Sequence, residues 1–150
     1  MWWRVRVLRF LGLLSLIVWV GGFTFYSAGV IPVLHDAMPS RDAGRITQRV
    51  TDRLNLVGAA TVLVWLALVS AERHVGPERL RMARAVLLVA TFFTLGFLAV
   101  LHGLMDRRLA QGRMEGFYPT HRIYLIVSTV QWFVNLGLLG LSLRLWEKEG

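Results

Sequence analysis

Residues 10–34 read FLGLLSLIVWVGGFTFYSAGVIPVL, twenty-five positions without a charge between Arg9 and His35. As an α-helix rising about 1.5 Å per residue, such a run exceeds the roughly 20 residues needed to cross a hydrocarbon core of about 30 Å. The surplus leaves room for tilt. The preceding segment, Met1-Trp2-Trp3-Arg4-Val5-Arg6, has the charged start of a secretory signal, and Ser27-Ala28-Gly29 offers small residues. The apolar run is too long for a cleaved signal core, so the expectation is a retained first helix.

Three more runs follow. Their approximate bounds are 54–71, 85–105 and 123–143, each 18 to 21 residues long, so a single domain over residues 1–150 would cross the bilayer four times. Four crossings put both termini on one side. The fold class expected is all-α, an integral membrane bundle of four transmembrane helices with a short amphipathic interfacial helix after the first span. Composition agrees: 55% of the residues are hydrophobic and 17% charged, and mean hydropathy is positive, a balance that soluble domains of this size seldom carry. There is no internal repeat and no low-complexity segment.

The interfacial helix is expected in the loop from Asp36 to Arg53. Ser40 is placed to cap it, and Ala43, Ile46, Val50 and Leu54 recur at three- and four-residue spacing as an apolar stripe. Arg41, Arg45, Arg49 and Arg53 recur every fourth residue as a basic row. Guanidinium groups pair with phosphate and carboxylate, so the row suits lipid headgroups or an acidic partner, or simply a basic surface helix without a specific ligand. Gly76-Pro77 marks the second turn, and Gly112, Gly116 and Pro119 an irregular third loop.

The net charge of +8 does not indicate nucleic acid, because the 16 arginines and Lys148 lie between apolar runs and not on one polar domain. Anionic lipids and other membrane subunits are the expected partners. The positive-inside tally is balanced, about nine basic residues at the termini and second loop against about eight elsewhere. Arg4, Arg6 and Arg9 before the first span favour cytoplasmic termini.

Two polar stripes run inside the spans. In the first, Ser15, Trp19, Gly22, Tyr26 and Gly29 share a face; in the fourth, His121, Tyr124, Ser128, Gln131, Asn135 and Ser142 do so. Unpaired amides are costly in hydrocarbon, so both stripes should face other helices and serve packing. The alternative, a path for a small solute, would call for an ionisable group at mid-membrane, and no span centre carries one.

With no cysteine, disulfides, thiolate metal sites, iron–sulfur clusters and cysteine nucleophiles are excluded. No serine stands at a spacing that implies a nucleophile with its base, and Gly21-Gly22 lies inside a span and is no phosphate loop. The chain is therefore expected to be noncatalytic and to need no cofactor. One metal set is worth stating: His102 and Asp106 are four apart on one helix face, with His35 or His121 able to add a ligand, although membrane-edge histidines and aspartates commonly just meet water or headgroups. Haem held by two histidines is a further variant.

Trp19-Val20-Gly21-Gly22, Pro32, Ala43-Gly44, Arg53-Leu54-Asn55, His121 and Asn135 together resemble the bacterial domain of unknown function 4149 family, related to eukaryotic transmembrane protein 205. The resemblance implies four membrane helices and no assigned activity; the expected location is a bacterial inner membrane or its intracytoplasmic extension. His35, where an aromatic residue is expected, and Met105-Asp106, where a more apolar end with a proline is expected, depart from the pattern. The leading functional reading is an accessory or structural subunit packed against a larger assembly, respiratory or photosynthetic for instance. The alternative is a small transporter or a metal- or haem-handling protein.

Overall fold

The computed structural model describes residues 2–111 and 117–148, and at 2, 40, 41 and 117 the backbone alone. Gly112 and Gly116, on which the third loop was expected to turn, lie outside the described residues. The described chain is helical throughout apart from short turns: α1 (Trp2–Phe25), a π-helical segment (Tyr26–Val30), α2 (Ile31–Ala37), α3 (Ser40–Ala71), α4 (Glu78–Ala110) and α5 (Phe117–Glu147). Among the described residues, four helical stretches are long and apolar enough to cross a membrane: Trp3–Ala37, Asp42–Ala71, Glu78–Ala110 and Tyr118–Glu147. The chain divides into two compact units, Met1–Arg73 and His74–Gly150.

In the first unit α1 packs against α3. Before they pair, the helix of the first span widens. The N–H of Ile31 reaches back five residues to the carbonyl of Tyr26, and Pro32 follows directly, a residue that has no N–H for the carbonyl of Ala28 and whose ring would crowd it in a regular α-helix. A π turn beside a proline relieves that conflict without ending the span.

The turn into α3 is two residues long. Met38 is extended, at φ −150° and ψ 161°, as a residue before proline prefers. Pro39 takes the cap position, and its carbonyl accepts from the N–H groups of Asp42 at 2.9 Å and Ala43 at 3.1 Å. Ser40, expected to be the cap, is the first residue of the helix instead. Nor does a separate surface helix precede the second span. α3 runs without a break from Ser40 to Ala71, because nothing between those residues interrupts the hydrogen-bond ladder. The change at Arg53-Leu54 is one of side-chain character, not of backbone.

In the second unit α4 packs against α5. The turn before α4 repeats the device of the first: Pro77 caps, and its carbonyl accepts from Leu80 at 3.1 Å and Arg81 at 3.2 Å. Gly76 makes the reversal at φ +69°, where a side chain would be strained, and a Cβ there would stand 2.6 Å from Leu145. Pro119 falls in the first turn of α5, where its missing N–H breaks no ladder bond.

Candidate functional sites

The contacts between α1 and α3 run antiparallel, residue numbers falling on one helix as they rise on the other. At one end Arg9 Nε donates to a Glu72 carboxylate that is fully buried. Next, the Trp65 indole N–H donates to the carbonyl of Gly12 at 3.0 Å, and a Cβ on Gly12 would meet Leu68 at 3.1 Å. Thr61 Oγ1 donates to its own helix at Val57 O (2.9 Å) and across to Ser15 O (3.3 Å). The Trp19 ring then lies over Gly58, where any Cβ would be 2.5 Å from it. Gly22 faces Leu54 at 3.4 Å, and the Tyr26 hydroxyl donates to Thr47 O at 3.0 Å.

Trp19 and Tyr26 are thus buried and Gly22 is at a helix contact. Gly29 differs: the nearest atoms its Cβ would meet among the described residues belong to Phe25, one turn back on the same helix. The basic row lies elsewhere on α3. Arg45, Arg49 and Arg53 are exposed, and Arg41 is described in its backbone only. Of the apolar stripe of this segment, Ala43 is fully buried and Leu54 lies at the contact above, Val50 is half-buried and Ile46 is exposed.

The α4–α5 pair carries its polar groups at mid-span. Thr91 Oγ1 donates to Asn135 Oδ1 at 3.1 Å, and Gln131 Nε2 reaches the carbonyl of Thr91 at 3.4 Å. Ser128 and Ser142 donate to carbonyls of their own helix, Leu125 O at 2.9 Å and Leu138 O at 2.7 Å. A hydroxyl satisfied in this way needs no partner from outside. All of Thr91, Ser128, Gln131, Asn135 and Ser142 are buried. Close to them Gly137 brings α5 near α4, its Cβ position 3.2 Å from Leu87.

At the far end of this pair, His102 Nε2 and Asp106 Oδ2 are 3.6 Å apart one turn along α4. His102 is buried, its ring 6.2 Å from that of Tyr124 between centroids, and Asp106 is about a third exposed. Arg108 donates to the Thr120 hydroxyl at 2.7 Å, tying the end of α4 to the start of α5. His121, beside Thr120, is exposed, and so is His35 at the end of α2 in the other unit. Of the predicted metal set, the pair whose spacing is defined within one unit is His102 and Asp106, which offer one nitrogen and one oxygen. That is half of a tetrahedral ligand set.

Sequence reasoning passed over several of these groups. Thr91 gave no signal, being one threonine in an apolar run, yet it anchors both amides of α5. Glu72 and Arg84, charges on either side of the second turn, are both buried. Trp65 looked like any span aromatic until its N–H found the carbonyl that Gly12 leaves uncovered.

Four helices of this length and apolarity, with charges gathered at their ends and polar side chains paired between them, define an α-helical integral membrane protein. Within that class the chain belongs to the family described as a domain of unknown function, DUF4149, whose profile matches residues 14–114. The match takes in α1 from its middle onward, α2, α3 and α4, and ends before α5. Comparison with curated proteins and with solved structures gives no match in either case.

Proposed function

We propose that this chain is a noncatalytic accessory or structural subunit that packs against a larger membrane assembly, of the respiratory or photosynthetic kind, in a bacterial inner membrane or its intracytoplasmic extension, with cytoplasmic termini. The observation that carries the reading is where the polar groups of the spans are spent. Trp65 on Gly12, Tyr26 on Thr47, Asn135 on Thr91 and Gln131 on Thr91 are helix-to-helix contacts, and each is satisfied by its neighbour and not held out toward a solute. The remaining span surface is broadly apolar and aromatic, with Phe10, Phe25, Phe92, Phe93, Phe97 and Phe133 exposed. Such faces need lipid or other helices to cover them. The motifs around Trp19-Gly22 and Arg53-Asn55 support, within the same reading, kinship with eukaryotic transmembrane protein 205.

One observation favours a second reading. A buried histidine beside a carboxylate at a span end, as His102 and Asp106 stand, is the kind of pair that a small transporter or a metal- or haem-handling protein uses. A single preparation separates the two. The protein is extracted from its own membrane in mild detergent, and its native mass, metal content and absorption spectrum are taken together. The subunit reading expects a stoichiometric complex with larger proteins, unaltered by His102→Ala. A lone chain carrying metal or colour that His102→Ala removes overturns it.

A further inference from the structure

The outward face of the first turns of α3 is unused by the packing of its own unit. Tyr26 at Thr47 and Gly22 at Leu54 fix the inward direction of this stretch. At about 100° per residue, Arg45, Arg49 and Arg53 stand roughly 160° to 240° around the helix from Thr47. All three are exposed, and among the described residues none holds a hydrogen bond or ion pair. Asp42 and Asp52 share this face. Asp42 lies in the first turn, where the positive end of the helix dipole faces it, and Asp52 is engaged with another group.

The height of the row is set by the continuity of α3. The apolar stretch from Leu54 to Ala71 is about 27 Å long as helix, close to the thickness of the hydrocarbon core. Arg53 then stands at the boundary, with Arg49 about 6 Å and Arg45 about 12 Å beyond it on the same rigid rod. The headgroup layer of one leaflet is roughly 5–8 Å deep, so Arg53 and Arg49 fall at phosphate level and Arg45 within about one Debye length of it. A guanidinium at that depth meets phosphate oxygens in its favoured bidentate geometry.

We propose that Arg45, Arg49 and Arg53 form a phosphate-binding row that holds anionic phospholipid headgroups against α3. This proposal is independent of the subunit reading, since it concerns a face turned away from the hairpin contact and a ligand every bacterial membrane could supply. The test reconstitutes the protein in mixed vesicles of phosphatidylcholine and phosphatidylglycerol, re-extracts it in mild detergent and measures the co-purified phospholipid. The expected result is enrichment of phosphatidylglycerol over the vesicle composition, falling by about fivefold for each Arg→Gln substitution in the row. Equal lipid ratios for the wild type and the Arg45→Gln/Arg49→Gln/Arg53→Gln variant overturn the proposal. So does an unchanged lipid ratio when the triple variant, purified from its native membrane, loses a protein that the wild type retains, which would assign the row to an acidic partner. Should the triple variant fail to insert, the wild type decides alone: the enrichment fades as ionic strength rises, and an enrichment indifferent to salt contradicts the assignment.

Discussion

At Gly58 a hydrogen occupies the place where any other residue would set a carbon 2.5 Å from the buried Trp19 ring. The ring cannot swing aside without giving up its place on α3. Gly58→Ala is therefore expected to destabilise the first unit by about 1–3 kcal/mol through overpacking, read as a lower thermal midpoint in detergent. An unchanged midpoint would mean that Trp19 does not lie there. A gentler balance holds at Thr91 and Asn135, 3.1 Å apart. Polar pairs between membrane helices average about 0.6 kcal/mol and reach about 1.7. A double-mutant cycle with Thr91→Val and Asn135→Leu should return a coupling in that range. Simple additivity would show that the pair does not hold the helices together. Much of this pattern could be read from residue spacing, because amides and aromatics with polar tips must face a helix when the solvent is lipid. The partners could not be read: spacing gives the face of Asn135 and says nothing of Thr91 on another helix.

At the scale of elements, the long apolar runs were legible because bilayer thickness imposes a length that few other structures need. The exact joints were not. The stretch before Leu54 was expected to form its own helix since its residues change from charged to apolar at Arg53. In the structure that change marks a change of surroundings along one continuous α3. Residues 10–34 were expected as one unbroken span, and spacing gave no sign of the π turn that the Ile31 to Tyr26 bond makes beside Pro32. Burial of Glu72 against Arg9 was hidden for a related reason: charges near a turn read as solvated unless a partner 63 residues away is known. The continuity of α3 predicts a definite pattern of amide exchange in nanodiscs. Amides of residues 50–57 should be protected without interruption across the Arg53-Leu54 step. A fast-exchanging break there would restore the separate surface helix.

At the scale of the whole molecule, membership of the DUF4149 family and four membrane-length helices give the class, while the apolar faces that remain uncovered raise the question of function. Neither composition nor spacing could say what covers those faces, since lipid tails and a neighbouring helix have the same polarity. Whether another protein covers them can be measured in the intact membrane. A photo-crosslinking side chain is placed singly at Phe10, Phe97 and Phe133, exposed positions on α1, α4 and α5. At least one position is expected to trap a different membrane protein in high yield, the same partner from every preparation. If all three positions label lipid alone, the subunit reading is contradicted.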